Sequence, residues 1–120
     1  MTNAENTENA GLLGRQWAQY GEAHGDRRNL VIHLATVPVF MAGTVAVLGA
    51  PFVSWWLAPA GLIAMFVAMA AQGKGHALEH AKPAPFRSRL DFVSRIFAEQ
   101  WITFPRFVLS GGVARALRRR

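Results

Sequence analysis

The chain has 120 residues, 13 basic against 7 acidic side chains for a net charge of +6, and 52% hydrophobic residues. One domain suits that length, and the lack of cysteine excludes disulfides, thiolate metal ligands and cysteine nucleophiles. A strongly basic soluble domain would suggest nucleic acid as partner, but no nucleic-acid motif accompanies the charge here, and its placement gives it another cause.

Residues 1–11 open with a polar stretch carrying Glu5 and Glu8, without a basic start or an apolar run. They are expected to be a disordered tail and not a signal peptide. Leu13, Trp17, Tyr20 and His24 then recur at helical spacing, a short amphipathic helix whose apolar face ends in an imidazole. Gly25 and Asp26 break that pattern.

From Leu30 to Gln72 follow 43 consecutive residues without Asp, Glu, Lys or Arg. About twenty apolar residues span a bilayer as a helix, so this stretch is long enough to cross, turn and return. Gly49, Ala50 and Pro51 mark the turn, which gives transmembrane helices at about 29–48 and 52–72. Pro38 and Pro59 fall inside them as expected kinks, and Trp55 and Trp56 suit the far membrane interface. Pro83 and Pro85 redirect the chain along the surface.

Between residues 90 and 109, Asp91, Arg95, Glu99 and Thr103 form a polar stripe at four-residue intervals. Val93, Phe97, Trp101, Phe104 and Phe107 oppose it, as in a helix lying in the interface plane, with Pro105 a kink or stop. The fold class is thus an all-α integral membrane protein: a two-helix transmembrane hairpin with amphipathic interfacial helices at both ends. Residues 12–112 make one membrane domain and 113–120 a basic tail. All 13 basic residues lie outside the hairpin, which by charge puts both termini and the histidine end on the cytoplasmic side; the membrane expected is a bacterial inner membrane.

All four histidines lie close to the two ends of the uncharged stretch. His76 and His80, four apart, share one helix face at a spacing used for two ligands on one metal ion, with Glu79 beside them. Asn29 and His33 form a second such pair, His24 precedes them, and the hairpin returns His33 to the level of His76. Four imidazoles, His24, His33, His76 and His80, thereby converge as candidate metal ligands, and nitrogen donors alone leave Zn, Cu, Fe and Ni open. Tyr20 and Asn29 are candidates to orient the imidazoles. Arg27, Arg28, Lys82 and Arg87 are the nearest cations to draw a carboxylate, although flanking basic residues usually only set topology.

At these positions the sequence resembles the Mpo-like membrane proteins. The resemblance rests on Tyr20-x3-His24-x4-Asn29-x3-His33 and, after one apolar hairpin, on Gly75-His76-x3-His80-x2-Pro83-Ala84-x-Phe86. It implies an Fe(II)-dependent dioxygenase of fatty-acid α-oxidation that shortens a long-chain 2-hydroxy fatty acid by one carbon with O2. It carries the family's histidine positions onto His24, His33 and His76, while Glu79 and His80 compete for the next. A non-enzymatic membrane scaffold with a structural metal is the alternative class, and a haem would need a homodimer to enclose it.

Overall fold

The computed structural model describes residues 11–23, 25–79 and 85–118, all helical or turn with no strand among them. The helices are α1 (Leu12–Ala23), α2 (Arg27–Gly49), α3 (Leu57–Ala77), α4 (Arg89–Ala98), a π-helical turn (Glu99–Thr103), α5 (Phe104–Leu109) and α6 (Gly112–Arg118). They divide into two compact units, one of residues 26–78 and the other of the chain before and after it.

The first unit is the α2–α3 pair. Asp26 starts α2 by accepting the Arg28 backbone N–H at 2.8 Å, and its carboxylate also holds the Arg28 guanidinium at 3.2 Å. That hydrogen bond and charge keep Asp26 ionised below the usual carboxylate range. The buried positions of α2, Leu30, His33, Val37, Phe40 and Gly43, advance by three or four residues and so form one face. It packs on the Gly61, Ala68, Gln72 and Gly75 face of α3. Contacts run in opposite senses, Gly43 on Gly61, Thr36 on Gln72 and His33 on His76, so the helices are antiparallel.

At the Gly43–Gly61 crossing the backbones themselves touch: a Cβ on Gly43 would lie 2.6 Å from the Gly61 carbonyl oxygen. Only glycine permits that approach. Helices α2 and α3, of 23 and 21 residues, are each long and apolar enough to cross a membrane.

Helix α3 begins at Leu57, not at residue 52. Pro59 decides this. A helix from residue 52 would put its ring against the carbonyl one turn back, whereas a start at Leu57 leaves it in the first turn, where no N–H partner is needed. Pro59 is therefore not a kink. Phe52 and Val53 instead donate their N–H groups to the Gly49 carbonyl, closing the turn. At its other end α3 continues through Gly73 and Gly75 to Ala77.

In the second unit, Ser88 caps α4 by accepting the Asp91 N–H at 3.0 Å, and Asp91 accepts the Arg87 N–H at 2.9 Å. The helix does not stop at Pro105. It widens into the π-helical turn, where the Phe104 N–H reaches the Glu99 carbonyl, and Pro105 then sits in the first turn of α5. Gly111, at φ +83°, turns the chain into α6, so part of the basic C-terminal segment is helical.

The polar stripe of this segment faces inward. Gln16 of α1 donates to the Arg95 carbonyl at 2.9 Å and accepts from Thr103 Oγ1 at 2.7 Å, while Tyr20 donates to Glu99 at 3.3 Å. Phe104 and Phe107 are buried beside them, the Phe107 ring edge-on to both Tyr20 and Trp17.

Candidate metal centre

His33 lies in the second turn of α2 and His76 next to the last residue of α3, so antiparallel packing sets one against the other. Their ring centroids are 4.9 Å apart, edge to face at 78°. His33 is fully buried and His76 half-buried. His33 Nδ1 stands 3.0 Å from the Asn29 carbonyl oxygen, which can only accept. This bond needs a proton on Nδ1, the tautomer in which Nε2 is the ring nitrogen suited to a metal ion.

The same end of the pair is fixed by a glycine. Gly75, one residue before His76, has no Cβ where one would overlap Asn29 Oδ1, and so leaves room for the fully buried Asn29 side chain. One turn deeper, Gln72 donates to Thr36 Oγ1 at 3.0 Å, and Thr36 donates to the Ile32 carbonyl at 2.6 Å. Polar side chains thus line the packed face at the histidine end, and glycine contact replaces them toward the turn.

The second unit carries its own acid–phenol pair, the phenol buried and the acid half-buried. Tyr20, 4% exposed, donates to Glu99 Oε1 at 3.3 Å, and burial, the Glu99 charge and this hydrogen bond hold its phenol well above the ordinary value near 10. Glu79 is also buried in this unit.

The structure brings His33 and His76 together and sets Asn29 behind His33. Arg28 is engaged by Asp26 at the start of α2, and Arg87 uses its backbone N–H on Asp91. His24, His80 and Lys82 lie outside the described residues, as does the His76–His80 helix-face pairing, since α3 ends at Ala77. Glu99, the partner of Tyr20 within the second unit, is an acid that the sequence reading left unassigned. Its signal was in the four-residue stripe, which places it on the same helix face as Arg95 and Thr103.

Residues 12–104 match the family model of the 2-hydroxy-palmitic acid dioxygenase Mpo1-like proteins. The chain belongs to the Mpo1-like family. The matched stretch includes the whole α2–α3 pair, with His33 and His76, and also Tyr20 and Glu99 of the other unit; it ends before α6. The family's name is that of a dioxygenase. No curated protein and no solved structure matches the chain.

Proposed function

We propose that this Mpo1-like protein is an Fe(II)-dependent dioxygenase of the membrane that shortens a long-chain 2-hydroxy fatty acid by one carbon. The observation that carries the reading is the His33–His76 pair, two imidazoles with ring centroids 4.9 Å apart, His33 oriented through Nδ1 by the Asn29 carbonyl. Two facing imidazoles can both ligate one metal ion. Imidazole is a usual ligand of iron, so the pair fits the metal the family name suggests. His24 and His80 are further proposed ligands, with Glu79 a nearby acid.

When bound, Fe(II) would supply O2 activation and a chelating position for the carboxylate and hydroxyl of a 2-hydroxy acid. The chain's residues prepare that chemistry. The Asn29 carbonyl accepts from His33 Nδ1 and so orients that imidazole. Arg28 is held by Asp26 at the start of α2, and Arg27, Lys82 and Arg87 are the other cations proposed to draw a carboxylate.

The apolar α2–α3 pair supports membrane insertion, since Val31, Val45, Leu62, Ile63 and Phe66 are all exposed along it. Trp55 and Trp56 would mark the far interface, and the basic flanks the cytoplasmic face. The acyl chain of the substrate would share this apolar environment, where each buried methylene contributes about 0.8 kcal/mol.

The test is product mass spectrometry. Detergent-purified protein loaded anaerobically with Fe(II) is given a long-chain 2-hydroxy fatty acid and O2, with His76→Ala alongside. A one-carbon-shorter product formed only by the parent is expected. Iron bound with no product from a range of chain lengths would overturn the dioxygenase reading in favour of a structural metal.

A further inference from the structure

The helical rod from α4 through α5 has its two faces the wrong way round for a protein in water. Its polar side chains from Glu99 to Thr103 point into the second unit: Gln100 and Thr103 are buried, Glu99 meets Tyr20, and Gln16 accepts from Thr103. The opposite face is apolar and open. Leu90 (76% exposed), Val93, Phe97 and Trp101 follow one another at three- or four-residue steps, and beyond the π-helical turn the stripe resumes at Val108 and Leu109 (88% exposed). An exposed stripe of this length on a helix signals an apolar neighbour.

Charge says which neighbour. Residues 85–118 hold six arginines and two acids. Both acids are engaged within the unit, Asp91 by the Arg87 N–H and the Arg95 guanidinium at 3.6 Å, Glu99 by Tyr20. Arg87 and Arg89 precede the stripe, both exposed, while Arg106, Arg115 and Arg118 interrupt or follow it. A second copy meeting this face would bring like charges together. An anionic lipid surface offers acyl chains to the stripe and phosphates to the arginines.

We infer that the Leu90–Leu109 face is a bilayer-docking surface, lying in the interfacial layer of an anionic membrane with Leu90, Phe97 and Trp101 among the acyl chains. The inference rests on the membrane reading above and adds to it a second, shallow site of membrane contact outside the α2–α3 pair. The π-helical turn has a part in it: the extra residue it accommodates carries the stripe past Pro105, so that Leu109 continues the face begun at Leu90.

The chain has four tryptophans, which makes the test direct. The full-length protein, with Trp17, Trp55 and Trp56 changed to Phe, is reconstituted in vesicles of phosphatidylcholine alone or mixed equally with phosphatidylglycerol. The phosphatidylcholine is brominated either near its carbonyl or near its methyl end. Trp101 emission should be quenched several-fold more by the shallow bromines, and more in the anionic vesicles, with the increment lost at high salt.

No quenching of Trp101, in a companion variant set where Trp55 and Trp56 are quenched, would overturn the docking surface while leaving the inserted pair intact. Loss of both signals would overturn the membrane reading itself. Stronger quenching by the deep bromines would mean a spanning helix and would equally overturn docking. Should the triple variant fail to fold, a hydrophobic photolabel on the unaltered chain answers the same question: labelled peptides must include residues 90–109, and their absence would overturn the proposal.

Discussion

The two units of this chain are held together by opposite means. Toward the turn of the α2–α3 pair Gly43 and Gly61 bring backbone against backbone, and polar contacts are gathered at the histidine end. The second unit is joined through side chains, with Gln16 and Tyr20 of α1 reaching Arg95, Glu99 and Thr103 amid the Trp17, Phe104 and Phe107 rings. Close backbone packing is how helices associate when the surroundings are as apolar as their own side chains, so that removing apolar surface from water gives no gain. Such an interface should tolerate changes on its outer surface and fail at a single methyl group inside. The unit built on hydrogen bonds should show the reverse, tolerating small steric changes and responding to polar deletions and to pH.

The sharpest way to break the contrast is Gly61→Ala. The new Cβ would stand 2.5 Å from the Gly43 carbonyl oxygen and 2.9 Å from a Val47 methyl, and backbone cannot step aside as a flexible side chain can. A loss of about 1–3 kcal/mol is expected, the usual range for overpacking, read as a lower midpoint of unfolding in mixed micelles. Gly73, whose Cβ would meet nothing within 4 Å, is the control: its alanine variant should be neutral or slightly stabilising through helix propensity. Equal behaviour of the two variants would remove the case for a backbone-to-backbone interface.

Gly75→Ala tests the polar end of the same pair. Its Cβ would overlap Asn29 Oδ1, and Asn29 is the residue whose backbone carbonyl fixes His33. Displacing it moves one imidazole relative to the other without altering either. Co(II) binding, followed by its visible spectrum, should weaken about tenfold, the lower end of what changes behind a metal ligand cost. Adding Asn29→Ala removes the obstructing atoms but keeps the backbone carbonyl, so the double variant should recover most of the affinity. No recovery would mean that Asn29 is not the obstruction.

Much of this architecture was legible in the sequence because it follows from composition over long stretches. An uncharged run of 43 residues with a Gly-Ala-Pro break can hardly give anything but two apolar helices, and α2 falls within two residues of its expected bounds. Legibility failed where one residue decides a boundary. Pro59 moved the start of α3 because proline is free at a first turn and costly inside, and Pro105 was absorbed by a wide turn that no periodicity announces. The inward direction of the Asp91–Thr103 stripe was hidden for a different reason: amphipathicity shows that a helix has two faces, and only the partner helix shows which one is covered. The histidines were visible as a cluster, and His33 with His76 are found together. The Tyr20–Glu99 contact was passed over because, in sequence, Glu99 reads as one more member of a solvated charged face.

The smallest expected effect concerns the phenol of the second unit. Tyr20 is the chain's only tyrosine, so tyrosinate absorbance reports it alone. Burial first, and then the Glu99 charge and hydrogen bond, raise its pKa above the ordinary value. The unfolded chain ionises near pH 10, so below that pH the neutral phenol's contribution to stability is fully present. As pH rises from there through the higher folded value, the contribution is lost, because the unfolded state releases its proton first. The parent should therefore show no tyrosinate at the ordinary pH, and then a rise that coincides with loss of helical signal. Tyr20→Phe should lower stability at neutral pH by about 1 kcal/mol, the net value of one hydrogen bond, and should flatten the alkaline slope. If tyrosinate instead appears at the ordinary pH in a fully helical protein, the phenol is not held by Glu99, and the polar unit loses the contact that most distinguishes it from the glycine-packed pair.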